Sequence, residues 1–369
     1  MGGIADPYFR LIVGAPSLNR MTNDHRAAGP DAPFALGVFA LPDGRPFTGL
    51  VRGDRVRDVS ALGSVNELLA GWDAAFPRLA GLAAEAADAE APPWHRLAAL
   101  DVRCPVEPAQ ILQCGANYRK HVVDIVMAER RADLSTTGHN SDVPEAEVRA
   151  WAEEMMDERA RTGTPYVFTG LPSELTGPYD EVVLHDRGER HDWELELALV
   201  IGKTARDVPR ERALEYVAGY TISNDITTRS LVYRRDLKAI GADWLSAKNA
   251  PTFLPTGPFV VPAAFVADPS ALRITLRHNG IVRQDESVSD LLFDIPAIVS
   301  YITSITELRP GDLVLTGSPA GNGMHWGVFL AEGDVLDGGI TGLGTQHNRC
   351  VRKNSNRAVR NEGNPGLQP

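Results

Sequence analysis

Glu194 and Glu196 stand two residues apart in the run Asp192-Trp193-Glu194-Leu195-Glu196-Leu197-Ala198-Leu199-Val200-Ile201. On a strand, that spacing aims both carboxylates at one spot, while Leu195, Leu197 and Leu199 face the other way. Carboxylates beside a core strand either take up a proton or find a cation. A hard divalent ion, Mg²⁺, Mn²⁺ or Ca²⁺, is the simplest partner, and the plainer alternative is a solvated acidic face. About thirty residues on, residues 219–223 read as another strand, which ends at Asn224-Asp225, and a carboxylate at that strand terminus can complete a three-carboxylate site. His121 and Asp124 lie three apart on one face of a candidate helix. A carboxylate one turn away can fix the imidazole tautomer and raise its basicity, as a water-activating general base requires; a helix cap or surface residue is the duller reading. Arg229 follows the second strand and can neutralise excess negative charge there or form a surface salt bridge.

The elements that must position these groups are also legible. Residues 111–115 read as a buried strand that delivers Asn117-Tyr118-Arg119-Lys120-His121 into a helix. This motif, Trp193-Glu194-Leu195-Glu196, residues 219–229 and Thr316-Gly317-Ser318-Pro319-Ala320-Gly321 occur in an order and spacing that resemble the fumarylacetoacetate hydrolase family over roughly residues 105–350. The resemblance implies a divalent metal, Mg²⁺ or Mn²⁺ with Ca²⁺ as a further option, held by Glu194, Glu196 and Asp225. It also implies a homodimer and an α+β, mostly β fold, a mixed β-sandwich or roll. It places His121 in a catalytic role with Asp124, where the family commonly has Glu, as its partner. Lys248 falls in the family's lysine loop, where an ammonium can stabilise enolate charge. Tyr118, Arg119, Arg229, Gln284 and Thr316 become candidate contacts to a small keto or diketo substrate. The implied reaction is metal-dependent hydrolysis of a carbon-carbon bond in a β-diketone or acylpyruvate, with His121 activating water and an enolate leaving. Decarboxylation or keto-enol isomerisation at the same site is the nearest alternative, and a binding protein without catalysis is another. Three positions depart from the family pattern: Thr169-Gly170 lacks the usual lysine, Ser230 follows Arg229 where Asp is common, and Pro251 replaces an acidic residue.

With 369 residues, 43% hydrophobic content and a net charge of −11, the chain reads as a soluble globular protein without a basic patch for nucleic acid. Cys104, Cys114 and Cys350 are spaced for neither zinc nor a disulfide framework, which fits a reducing cytoplasm. Neither a signal peptide nor a membrane span is expected. The expected layout is a flexible arm over 1–33, a small α/β domain over 34–104, the catalytic domain over 105–350 with a lid region at about 117–165, and a disordered tail over 351–369. Within the small domain, residues 64–89 read as helix split by Pro77. Asn279-Gly280 reads as a hairpin turn and residues 289–304 as a core helix. Residues 142–163 exceed the family's usual length and read as an extra helix, capped by Asp142 with Pro144 in its first turn, whose stripe is Val148, Trp151, Ala152, Met155 and Arg159. If this helix lengthens the lid, deleting 142–163 should change substrate preference and spare metal affinity; equal loss of both in paired kinetic and metal titrations would make it merely structural.

Overall fold

A computed structural model describes residues 29–85, 94–137, 143–234, 236 and 241–352. Most of the proposed arm, the tail beyond Arg352 and the Asp142 cap lie outside the described residues. The fold is α+β and mostly strand, built on three principal sheets. Among the described residues, no helix is long and apolar enough to cross a membrane.

The central sheet has six strands in the spatial order Val261–Pro262, Val217–Asn224, Leu195–Ile201, Leu313–Leu315, Ile111–Gly115, Tyr166–Gly170. Every residue of Leu195–Ile201 is buried, because both faces of the strand are covered. Leu195, Leu197, Leu199 and Ile201 enter the larger apolar core, while Ala198 and Val200 join a second core with Leu36, Leu50 and Leu69 from the N-terminal part of the chain. Each fully buried leucine stabilises the fold by roughly 1.5–3 kcal/mol, so the register of this strand is strongly fixed. Glu196 shares the face of Ala198 and Val200, and its carboxylate therefore starts from a packed, water-poor position.

The N-terminal part forms a five-stranded sheet in the order Trp94–Arg96, Arg55–Asp58, Pro46–Arg52, Ala35–Ala40, Asp101–Arg103. Backbone bonds between Leu36 and Val260, at 3.0 and 2.8 Å, tie it to the main body. Ser64 and Glu67 form a reciprocal capping box at the start of Val65–Ala70, a device worth about 1 kcal/mol. The expected break at Pro77 falls instead at Gly71, and Pro77 sits within the second helix, Trp72–Glu85. Gly71, about 1 kcal/mol less favourable than alanine inside a helix, is the C-cap of the first.

The third sheet orders Ile281–Ser287, Arg273–His278, Val335–Ile340, Gly344–Arg352 and Val182–Leu184. Asn279 (φ 51°) and Gly280 (φ 79°) form its expected hairpin turn with both residues left-handed. The core helix begins at Ile295, later than its composition suggests, because Asp294 accepts from Ala297 N–H and caps it there. The extra helix spans Glu145–Thr162, with Pro144 just before it rather than within its first turn. It packs on Arg119–Thr137 through Ala152 and Val148 against Val123, Val126 and Met127. Its stripe is rotated from expectation: Met156 rather than Met155 is buried, and Trp151 is 57% exposed. The Arg119–Asp157 ion pair and the bond from Arg159 to the Ala116 carbonyl fix that rotation.

Candidate metal centre

Antiparallel pairing sets Leu195 opposite Asn224, so the chain just before one strand meets the chain just after the other. Asp225 N–H donates to the Glu194 carbonyl at 2.9 Å, and Glu194 N–H donates to Asn224 Oδ1 at 2.9 Å. This crossing gathers Glu194, Glu196 and Asp225, all buried, with one carboxylate oxygen of each within 4.8 Å of the others. The two same-face glutamates and the strand-end aspartate thus form one cluster. Gly317 N–H donates to Glu196 Oε2 at 2.7 Å, and Gln113 Nε2 donates to Asp225 Oδ1 at 3.2 Å.

Two buried cations offset part of the charge. Lys248 Nζ donates to Glu194 Oε2 at 2.7 Å, to Thr227 Oγ1 at 2.7 Å and to Asp225 Oδ2. Its ammonium also lies 5.5 Å from the centre of the Phe168 ring and 5.8 Å from that of Trp244. Arg229 forks between Asp192 Oδ2 (2.8 Å) and Glu194 Oε1 (2.5 Å), the charge-neutralising role weighed for it, in a buried rather than surface position. Four buried carboxylates therefore face two buried cations. Burial, then the charges of Asp225 and Glu194, push Glu196 well above the usual carboxylate range. Burial lifts Asp225 to about 6 despite Lys248. At Glu194 burial opposes ionisation, but Arg229 and Lys248 outweigh it and hold the group well below its ordinary value. An all-oxygen donor set carrying two uncompensated negative charges when ionised suits a divalent hard cation such as Mg²⁺ or Mn²⁺.

His121 is buried, with Nε2 3.9 Å from Glu194 Oε1. Burial holds its pKa down to about 4, so the imidazole stays unprotonated near neutrality. The expected His121–Asp124 dyad needs correction: Asp124 pairs with His325 Nδ1 at 3.0 Å, and the carboxylate beside His121 is Glu194. His325 arrives on the short helix Gly323–Trp326, about 200 positions away, where no local spacing could place it.

Several candidate substrate contacts are committed elsewhere. The Thr316 hydroxyl donates to the Leu197 carbonyl at 3.0 Å, and the neighbouring Gly317 N–H is what reaches Glu196. Gln284 is a buried strut: Nε2 donates to Ser318 Oγ and the Pro319 carbonyl, both at 3.0 Å, and Oε1 accepts from Leu195 N–H at 3.1 Å. Tyr118 is different: its backbone is bridged to Leu291, but its buried hydroxyl has no hydrogen-bond partner among the described residues. Arg119 binds both oxygens of Asp157, at 2.9 and 3.0 Å, joining the helices Arg119–Thr137 and Glu145–Thr162, and also lines a cavity of about 600 Å³.

Two residues near the cluster had no role assigned from sequence. Asp192 was detectable in principle, since alternation places it in step with Glu194 and Glu196. Glu174 gave no such signal. It is 0% exposed, and neither carboxylate oxygen has a hydrogen-bond partner among the described residues. Burial, then the charge of Asp225, push it up to about 9. Gly170 stands beside it, and a Cβ there would lie 2.4 Å from Glu174 Oε1. The lysine missing at Thr169-Gly170 thus coincides with a buried carboxyl that fills the adjacent space.

A family model described as the C-terminal domain of fumarylacetoacetate hydrolase matches residues 110–351. An uncharacterized protein of Pyrococcus abyssi is 40% identical over 191 residues, 52% of this chain and 81% of that one. A human mitochondrial protein named oxaloacetate tautomerase FAHD2B is 38% identical over 189 residues; the match covers 51% of this chain and only 59% of that relative. The fumarylacetoacetate hydrolase of psychrophilic Exiguobacterium antarcticum aligns with TM-score 0.65 and 27% identity, covering 87% of this chain and 100% of that one. A maleylpyruvate hydrolase from Sphingobium sp. SYK-6, solved with manganese(II) and pyruvate, aligns with TM-score 0.62 and 26% identity, covering 86% and 99% of the two chains.

Proposed function

The chain belongs to the fumarylacetoacetate hydrolase family, and on that premise we propose that it is a divalent-metal-dependent enzyme acting on a small 2-oxo acid, with keto-enol isomerisation as its reaction. The observation that carries this reading is the buried carboxylate cluster with an unprotonated imidazole facing it. Glu194, Glu196 and Asp225 would hold the ion. When bound, it supplies Lewis-acid polarisation of a keto group, which acidifies the neighbouring C–H.

His121 is the group suited to take that proton. The C–H electron pair becomes the carbon-carbon double bond, the carbonyl oxygen gains a proton, and the composition of the substrate is unchanged. Proton transfer of this kind contributes about 10²–10⁴-fold to rate. Lys248 fixes Glu194 and Asp225 and supplies a point charge beside the reacting oxygen. Arg229 holds Glu194 ionised and oriented. Isomerisation is favoured over hydrolysis because Asp124, the expected orienting partner of His121, serves His325. Similarity to an oxaloacetate tautomerase supports the same choice.

Carbon-carbon hydrolysis is the second reading, supported by likeness to the maleylpyruvate hydrolase. A homodimer, the 34–104 and 105–350 division and a cytoplasmic setting belong to the same proposal. The test follows oxaloacetate and a panel of acylpyruvates by enol absorbance and NMR with Mn²⁺ present. Wild type should interconvert keto and enol forms without chain cleavage, and His121→Ala should lose about 10²-fold or more of that rate while retaining Mn²⁺. Cleaved products would establish the hydrolytic reading, and an inert wild type would leave a binding protein.

A further inference from the structure

The cavity of about 600 Å³ lies between the helix that carries His121 and the short helix Gly323–Trp326, and both Asp124 and His325 line it. His121 is buried and does not line it, so a proton that this imidazole takes up needs a carrier to reach solvent there. The charges that bear on His121 are those of Glu194, Arg229, Lys248 and His325. Burial notwithstanding, Arg229 and Lys248 stay protonated and Glu194 ionised near neutrality, because the three bind one another. None of them can pass a proton on.

His325 differs from these three. Asp124 engages its Nδ1 at 3.0 Å, which fixes the tautomer and leaves Nε2 as the nitrogen that can gain or lose a proton. Its side chain is 32% exposed, against 6% for that of His121. The ring is also held in place. It meets the Trp326 ring at 85° with 4.7 Å between centres, and Trp326 Nε1 donates to the carbonyls of Gly321 at 3.0 Å and Arg283 at 3.3 Å. Asp124 stands one helical turn from His121, so it presents the second imidazole on the face of the helix that carries the first.

We propose that His325, held by Asp124, carries protons between His121 and solvent in the cavity, so that His121 is returned to its neutral form after each turnover. The proton leaves the His121 imidazolium through bridging solvent and an N–H bond forms at His325 Nε2. That bond then breaks to water or buffer in the cavity, and no electrons change hands. Asp124 stabilises the second imidazolium while it exists. This rests on the proposed keto-enol isomerisation and deepens it by naming the route along which the site exchanges protons with solvent. A base that handed the same proton straight to the carbonyl oxygen would need no such route.

Oxaloacetate and the Mn²⁺-loaded protein in D₂O test it, with enol absorbance giving the rate of isomerisation and NMR the deuterium gained at C3 of the unreacted keto form. In wild type, deuterium gain should exceed enol formation. His325→Ala should lower that ratio and kcat by about tenfold with KM little changed, short of the roughly 10²–10⁴-fold that a general base itself contributes. The ratio falls because a proton that cannot leave His121 returns to the carbon it came from; a merely structural defect would slow both processes alike. Added 1,2-dimethylimidazole, a small proton carrier, should restore kcat of His325→Ala in a saturable way and leave wild type unchanged. Asp124→Asn should show a smaller loss that the same additive restores. Thermal unfolding and Mn²⁺ titration check that each variant is intact, and should His325→Ala misfold, His325→Gln carries the test. A variant with wild-type kcat and deuterium ratio, or a loss that does not respond to the additive, overturns the shuttle and leaves the isomerase reading standing. A wild type that binds Mn²⁺ but leaves oxaloacetate unchanged, or cleaves it, overturns the isomerisation reading and this inference with it.

Discussion

Glu196→Gln should leave the protein folded and remove its capacity to hold a divalent ion. The side chain is buried with Gly317 N–H donating to it, and burial, then the charges of Asp225 and Glu194, push its pKa well above the usual carboxylate range in the ion-free protein. A neutral amide of the same shape can accept that hydrogen bond, so ion-free stability should change little. A bound cation instead requires the carboxylate, and losing one of three ligands should reduce Mn²⁺ affinity and turnover by more than about 100-fold, the upper end for residues that only support a ligand. The sign of the pH dependence follows from the same groups. Glu196 is raised well above its ordinary value and Asp225 to about 6, so both must release protons before the ion is held. Mn²⁺ affinity should fall as pH drops through about 6, and calorimetry in buffers of different ionisation enthalpy should register proton release on binding. Retention of wild-type Mn²⁺ affinity by Glu196→Gln would remove this residue from the site.

Glu174→Gln should stabilise the protein, increasingly so at higher pH. The folded-state pKa is raised from 4.5 to about 9, with burial as the main cause and the Asp225 charge next. Below about 4.5 the carboxyl is protonated whether the chain is folded or not, and the contribution of the neutral form is fully present. Between 4.5 and 9 the folded state binds more protons than the unfolded one, so this contribution is lost progressively as pH rises. Glutamine does not titrate and escapes the loss. At pH 7 the difference amounts to at most about 3 kcal/mol, from 1.36 kcal/mol per pH unit above 4.5. Urea unfolding at pH 5 and pH 8 is the measurement: a gain at pH 8 that clearly exceeds the gain at pH 5 is expected. An equal effect at both would mean that Glu174 is not strained by its burial.

These two residues also mark where sequence reading succeeds and where it stops. Glu194 and Glu196 follow from the two-residue period of a strand, and Asp225 from its place at the end of another. Asn279-Gly280 is equally local, set by the left-handed conformation of two adjacent residues. What sequence does not carry is the choice among partners that folding brings from afar. Asp124 is one turn from His121, yet meets His325 from a remote helix. Gln284 and Thr316 carry groups suitable for substrate, yet nearby backbone groups engage them first. The buried face of Glu145–Thr162 shifts from Met155 to Met156 because ion pairing and docking, rather than periodicity alone, set its rotation.

Asp192 adds a charged link between the strand region of the cluster and the short helix Gly323–Trp326. One carboxylate oxygen accepts from Gly323 N–H, the other from Met324 N–H at 3.1 Å and from Arg229 at 2.8 Å, and Arg229 in turn grips Glu194. The backbone that displays Trp326 is thus braced against a carboxylate of the cluster, alongside the bond from Trp193 Nε1 to the Gly321 carbonyl at 3.1 Å. The placing of the Gly323–Trp326 backbone and the aim of the Glu194 carboxylate are therefore not independent, because one chain of buried hydrogen bonds fixes both.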